Sequence, residues 1–306
     1  MNFLELREKY PEFSYNWYKI EENENEYKIT YEFEIKGLSK FNPTWTIPKM
    51  DKSKNNIPNK ELLENMVFNL GMVELVSYWK ITCAPHVTVK NIYLSQKQID
   101  WWKKLYFYGL GEFFYKNNIK TNIDEFMNIT AGTNKLLKSE INISDEFTGA
   151  LVPIGGGKDS IVTLNVIKDD FANNMCYVIN PRGATEETAE TAGYGENKRC
   201  YVKRTLDKNM LELNKQGYLN GHTPFSSIVA FSALIVAYLN KKKYIVLSNE
   251  ASANESTIYE EEVNHQYSKS YEFEQDFNEY VKENILDGIE YFSLLRPISE
   301  YQIAKH

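Results

Sequence analysis

The sequence predicts an α/β fold in which a parallel-sheet domain is preceded by a smaller α+β N-terminal domain. Three observations carry that expectation. Near the start, apolar and polar residues alternate as in a hairpin; beyond residue 149, short apolar strands alternate with helical segments; and a glycine triplet closes the first of those strands. The 306-residue length suits about two domains, and 42% hydrophobic with 14% aromatic residues supplies ample core.

Taken in order, FSYNWYKI and EYKITYEFEI alternate on either side of the polar EENEN, which reads as two antiparallel strands. ELLENMVFNLGMVELVSYWKI, residues 61 to 81, spaces Leu62, Met66, Leu70, Val73 and Val76 at three- and four-residue steps, a helical period. A second helix follows Ser95, whose spacing to Gln98 fits a capping box. It is dense in rings (Trp101, Trp102, Tyr106, Phe107, Tyr108, Phe113, Phe114 and Tyr115), which are expected to pack as core. The polar, aperiodic LKSEINISDEFTG precedes a change of texture, so the boundary is drawn between domains 1–138 and 139–306.

Beyond it run ALVPI, a helix from 159, MCYVI, a helix near 184–193, CYVKRTL, a helix over 224–239 and YIVLS. Near-continuous apolar strands alternating with helices predict βαβ units and a parallel sheet covered on both faces. Thr223 is expected to cap the last of these helices, with Pro224 at its first position.

Composition excludes several classes. With 35 Lys and Arg against 42 Asp and Glu the net charge is −7, which repels polyanions, so no nucleic-acid partner is expected. Three scattered cysteines, Cys83, Cys176 and Cys200, match neither a disulfide framework nor paired zinc ligands and suit a reducing cytoplasm. The longest apolar run, IVAFSALIVAYL, is shorter than the roughly 20 residues of a membrane helix, and MNFLELREKYPEF has no apolar leader core.

The informative stretch is PIGGGKDSIV. Gly155, Gly156 and Gly157 stand at the carboxyl end of a strand and directly before a helix, where free backbone N–H groups attract anions. Glycines let those amides approach phosphate oxygens closely, Lys158 adds charge and Ser160 a hydroxyl. A Walker loop would need Gly-Lys-Ser/Thr after four intervening residues, and a dinucleotide fingerprint a third glycine where Asp159 and Ser160 stand. Neither pattern fits.

GGGKDS resembles the pyrophosphate-binding loop of the ATP-pyrophosphatase superfamily (PP-loop, adenine nucleotide alpha hydrolase-like), Ser-Gly-Gly-x-Asp-Ser. Gly156, Gly157, Asp159 and Ser160 match, and Gly155 replaces the leading serine. With NLGMVELVSYWKITCAP, WWKKLYFYGLGEFFYKN, NPRGATEETAETAG, NGHTPFSSIVAF, SNEASANEST and VNHQYSKSYEFE, nearly the whole chain resembles the MurL family. The resemblance implies ATP-dependent inversion of the terminal L-glutamate of UDP-MurNAc-L-Ala-L-Glu, a peptidoglycan precursor, with Mg2+ as cofactor and AMP and pyrophosphate as by-products.

Adenylation would remove the carboxylate's charge and so permit loss of the neighbouring Cα proton, which calls for two proton carriers on opposite faces. His222 and His265, with Lys269 nearby, are the candidates; each histidine could equally be structural or capping. Asn249 and Glu250 follow YIVLS at the sheet's ligand edge, Asn249 suited to nucleotide and Glu250, with Asp159, to magnesium. Arg182, Lys203, Arg204, Lys269 and Arg296 are cations available to an anionic substrate. The resemblance also implies a longer C-terminal region in relatives, bearing on the active site. Alternatives are another ATP pyrophosphatase, of the deazaguanine nitrile-forming or thiolation type, or a nucleotide-binding module without turnover.

Overall fold

The computed structural model describes residues 1–50, 58–137, 142–143, 145–251 and 267–305. A short helix α1 (Phe3–Lys9) leads into strands β1 (Glu12–Glu22), β2 (Glu26–Ile35), β3 (Ser39–Phe41) and β4 (Thr44–Pro48). β1 and β2 form the expected antiparallel hairpin around the EENEN turn. Along β2 the residues Tyr27, Ile29, Tyr31, Phe33 and Ile35 are buried in strict alternation, because one face of this hairpin lies on helix α2 (Lys60–Trp79).

α2 is buried along nearly its whole length, and Gly71 is where it comes closest to the hairpin: a Cβ there would overlap the Tyr15 ring and approach Tyr31 Cε1 to 2.7 Å. β5 (His86–Val89) and β6 (Asn128–Ala131) extend the sheet beyond β1, and helices α3 (Gln96–Gly109) and α4 (Gly111–Lys116) lie between them in sequence. Ser95 and Gln98 make the expected capping box. Trp102, Tyr106, Phe113 and Phe114 are core, as expected; Tyr108 and Tyr115 are exposed.

The C-terminal half alternates strands and helices: β7 (Ala150–Pro153), α5 (Lys158–Val166), β8 (Met175–Ile179), α6 (Gly183–Thr191), β9 (Arg199–Thr205), α7 (Lys208–Lys215), α8 (Phe225–Leu239), β10 (Tyr244–Leu247), α9 (Tyr271–Asn284), β11 (Glu290–Ser293) and α10 (Glu300–Lys305). These five strands are parallel, in the order β11-β10-β7-β8-β9. Both faces are covered, as the unbroken apolar runs require. Leu151, Tyr177, Ile245 and Leu247 face the core that contains α8, whereas Val152, Cys176, Val178 and Val246 face a second core with Leu164 of α5 and Ala189 of α6.

The two halves share one sheet. Strand β4 pairs antiparallel with β9, matching Trp45 with Arg204, so that among the described residues ten strands run continuously from β11 to β6, and β3, beside β2, is the eleventh strand of the sheet. Beneath that seam α2 packs on α8. Arg204 crosses it as well: its Nε and Nη2 donate to Glu74 Oε2 and Oε1 at 2.9 and 2.7 Å, and Nη2 to Ser77 Oγ at 3.2 Å. Glu74 is fully buried and also accepts from Trp45 Nε1 at 3.2 Å. Burial opposes the Arg204 charge, but Glu74 more than offsets it and the net direction of the Arg204 pKa is upward.

Removing one member of such a pair strands the other in the core. Glu74→Leu is therefore expected to lose about 3–5 kcal/mol of stability by urea unfolding, and Glu74→Leu with Arg204→Met to regain most of it. Equal losses in the single and double variants would show that the charge pair is not what joins the halves.

Candidate functional site

The order β11-β10-β7-β8-β9 reverses at β7: the chain moves outward through β8 and β9, then returns to the other side of β7 with β10 and β11. In open parallel sheets the crevice at such a reversal, at the carboxyl ends of the strands, is where ligands bind. Gly155, Gly156 and Gly157 occupy it, between β7 and α5.

Their conformation follows from that position. Gly156 has φ of +83°, and a Cβ there would stand 3.1 Å from the Ala184 carbonyl carbon and the Thr185 amide of α6, so glycine is required twice over. Nothing lies within 4 Å of a Cβ built on Gly155 or Gly157, which leaves the outer side of the turn open. Gly157 is the N-cap of α5 and offers no side chain, so the first-turn amides point outward uncapped. Ser160, buried, closes the turn by accepting the Gly155 N–H on Oγ at 3.2 Å, and its hydroxyl hydrogen remains available to a ligand. Asp159 Oδ1 is buried and accepts no hydrogen bond, with Lys158 Nζ at 3.4 Å. Lys158 also pairs with Glu300 of α10 at 3.0 Å.

Beside the turn lies a cleft of about 430 Å³ lined by Ile154, Gly155, Asn180, Arg182, Arg204 and Phe225, among others. Gly155 ahead of α5, Arg182 and Thr185 at the start of α6 and Phe225 at the start of α8 border it; the α5 and α8 ends have no side-chain cap, and at α6 Thr185 Oγ1 accepts the Arg182 N–H at 3.0 Å. Asn180, at φ of +51°, locks the cleft's floor: its Oδ1 accepts the Arg204 N–H and its Nδ2 donates to the Arg204 carbonyl, both at 2.9 Å. An acidic protein thus brings helix amino ends and Arg182 to a single concavity, while the Arg204 guanidinium, expected from sequence to be open to an anionic substrate, is instead engaged by buried Glu74.

The other predicted site residues fall as follows. Asn249 and Glu250 come just after β10, which pairs with β7, so they stand across the crevice from the glycine turn; Asn249 Nδ2 donates to Ser293 Oγ at 3.0 Å. Ser248 accepts from Thr163 of α5 at 2.8 Å, tying the two sides together. Lys269 is exposed in a turn over Tyr267–Lys269, and its carbonyl accepts from Arg296, which also reaches Ser293 and pairs with Glu274. Lys269 is thus linked to the end of β11, one strand beyond Asn249. Lys203, exposed on β9, pairs across the seam with Thr46. His265 lies outside the described residues.

His222 is exposed in the turn before α8, three residues ahead of the cleft-lining Phe225. The expected cap there is not formed: α8 begins at Phe225, with Pro224 as N-cap at ψ of 75° and no side-chain cap from Thr223. The reason is tertiary, since the Pro224 ring packs on Gly109 of α3, where a Cβ would lie 2.7 Å from it. Among the described residues no cluster of three His, Cys, Asp or Glu is placed to hold a metal, and no helix is long and apolar enough to cross a membrane.

Comparison with known proteins decides the family: the model of the MurL N-terminal domain matches residues 5–294. The chain belongs to that family. Three relatives are each named UDP-N-acetyl-alpha-D-muramoyl-L-alanyl-L-glutamate epimerase. That of Xanthomonas oryzae is 30% identical over 77% of this chain and 51% of its own length, that of Salinispora tropica 28% over 88% and 58%, and that of a Micromonospora species 32% over 77% and 52%. The chain spans about half the length of these curated relatives. A solved structure, described as a predicted subunit of a tRNA methyltransferase from Methanocaldococcus jannaschii, overlaps 52% of this chain and 73% of its own at 20% identity with a TM-score of 0.32, too loose to carry an argument.

Sequence reasoning overlooked Lys80, which lies beneath the His222 turn and is 6% exposed. Burial, and then the neighbouring Arg204, push its pKa down to about 8. An unfolded lysine keeps its proton to about 10.5, so between pH 8 and 10.5 the unfolded chain binds the proton more tightly, and stability should rise with pH across that window. Relative to Lys80→Met, wild type is expected to gain on the order of 3 kcal/mol between pH 8 and 10.5 in urea titrations. A flat difference would mean that Lys80 titrates normally.

Proposed function

We propose that this member of the MurL N-terminal domain family takes part in epimerisation of the terminal L-glutamate of UDP-MurNAc-L-Ala-L-Glu, in line with its relatives, which are named epimerases of that muramoyl dipeptide, and that the reaction depends on ATP. The observation that carries the ATP step is the Gly155–Ser160 turn at the reversal point of the sheet, with open amides at the start of α5. In the proposed reaction a substrate carboxylate oxygen attacks the α-phosphorus of ATP and pyrophosphate leaves. The Cα proton of the acyl-adenylate is taken from one face and returned on the other, and water then releases AMP.

In this reading the amides of Gly156 and Gly157 and the Ser160 hydroxyl hold the pyrophosphate, and Lys158 turns from Glu300 to the phosphates. Asp159, with a buried oxygen that accepts no hydrogen bond, and Glu250 across the crevice would be the two carboxylates to hold Mg2+; a magnesium ion shared with a nucleotide needs no larger protein cluster. Magnesium would supply neutralisation of charge on the departing pyrophosphate. Asn249 would contact the nucleotide, and Arg182 an anionic part of the substrate. His222, His265 and Lys269 are the proposed proton carriers. The cytoplasm, where ATP and the soluble UDP-linked precursor would meet, is the proposed setting.

Incubation with ATP, Mg2+ and the L-Glu dipeptide in heavy water should release AMP and pyrophosphate and place one deuterium at the glutamate Cα. Asp159→Asn should reduce pyrophosphate release by roughly 100-fold or more. Deuterium incorporation without nucleotide cleavage would overturn the adenylation step, and full activity of Asp159→Asn would remove the loop from the mechanism.

A further inference from the structure

Among the described residues, the turn that carries His222 is held from helices of the N-terminal half of the chain. Lys80, the C-cap residue of α2, donates from Nζ to the Gly221 carbonyl at 2.5 Å. Asn117, just past α4, donates from Nδ2 to the Asn220 carbonyl at 3.1 Å, and the Gly221 N–H is turned back onto Asn220 Oδ1 at 2.8 Å. Phe113 of α4 backs the turn so closely that a Cβ on Gly221 would stand 3.1 Å from its ring. On the other side of His222, Pro224 is seated on Gly109. The backbone is therefore fixed immediately before and after His222, an exposed residue three positions ahead of the cleft-lining Phe225.

A lysine is a costly residue for this position. Its ammonium is withdrawn from water, lies near the Arg204 charge and is destabilised by both. A methionine of similar length would fill the space without that cost. What only the lysine supplies is a strong donor to the single carbonyl that precedes His222.

We propose that Lys80 is a positioning residue for His222: by anchoring the Gly221 carbonyl it sets where the imidazole stands relative to the cleft. The kinetic part of this inference rests on His222 acting as a proton carrier; the geometric part does not. Lys80 touches no reacting atom and acts only through the turn.

The test uses the full chain with Lys80→Met, and Asn117→Leu as a milder variant that removes the neighbouring clamp from a partly exposed position. The ring 1H–13C signal of His222, assigned by its disappearance in His222→Gln, reports the geometry. In Lys80→Met this signal should shift or split while the thermal midpoint does not fall, and in Asn117→Leu it should move less, in the same direction. Turnover in the deuterium assay should drop about 10–100-fold in Lys80→Met, as expected for a displaced catalytic group. KM for ATP should change by less than about twofold, because the glycine turn is untouched. An unmoved His222 signal in both variants overturns the proposal, as does a moved signal with unchanged turnover where His222→Gln is inactive. If His222→Gln is fully active while Lys80→Met still moves the signal, the positioning stands and the acid–base role of His222 is what fails.

Discussion

The ion pair between Glu74 and Arg204 is the contact on which the arrangement of the molecule turns. It joins a helix from the first half of the chain to a strand from the second, at the place where β4 and β9 make the sheet continuous. Two charges are expensive to bury, and this pair is tolerable because both oxygens and both donating nitrogens are satisfied, with Trp45 and Ser77 completing the set. Its consequence extends past stability. Arg204 also lines the cleft, with its backbone bracketed by Asn180, so the same residue that unites the halves through its guanidinium helps to shape the concavity beside the glycine turn.

The cleft shows how an acidic protein can hold an anion. Formal charge over the chain is −7, yet the cleft is lined by Gly155 before α5, by Arg182 and Thr185 at the start of α6 and by Phe225 at the start of α8. The glycine turn is built by exclusion: Gly156 has no room for a side chain on its α6 side, and Gly155 and Gly157 keep the opposite side bare. What remains is a surface of backbone donors backed by a closed hydroxyl. The C-terminal helix α10 packs through Ile303 against Val162 of α5 and brings Glu300 to Lys158, a solvent-facing contact that phosphate could replace at little cost.

The N-terminal half has an aromatic core. Its contribution to the site is mechanical. Through α2, α3 and α4 it fixes the turn before α8 at Gly221 and Pro224, and through Glu74 it fixes Arg204. The aromatic segment from Trp101 to Phe114 belongs to that support: Trp102 stacks on Phe231 of α8 and donates to Tyr280 of α9, so the rings hold helices of the two halves in contact.

Periodicity and turn chemistry, which act over a few residues, were readable directly. They placed the β1–β2 hairpin, α2, the Ser95 box, the β7–β8–β9–β10 series and the glycine turn to within a residue or two, because in each case the local pattern and the tertiary environment ask for the same thing. They did not reveal that β4 would pair with β9 across some 150 residues of sequence, or that Pro224 would seat on Gly109 rather than open the first turn of α8. No short pattern in NGHTPF or SYWKIT marks Gly221 and Lys80 as partners. The residue types that can bind phosphate were determined by sequence alone, since glycine, aspartate and serine at that spacing carry their chemistry with them. Where the arginines, the histidine turn and the two halves stand relative to that loop was decided only by the tertiary structure, because buried charge pairs and ring contacts join positions whose separation along the chain leaves no local trace.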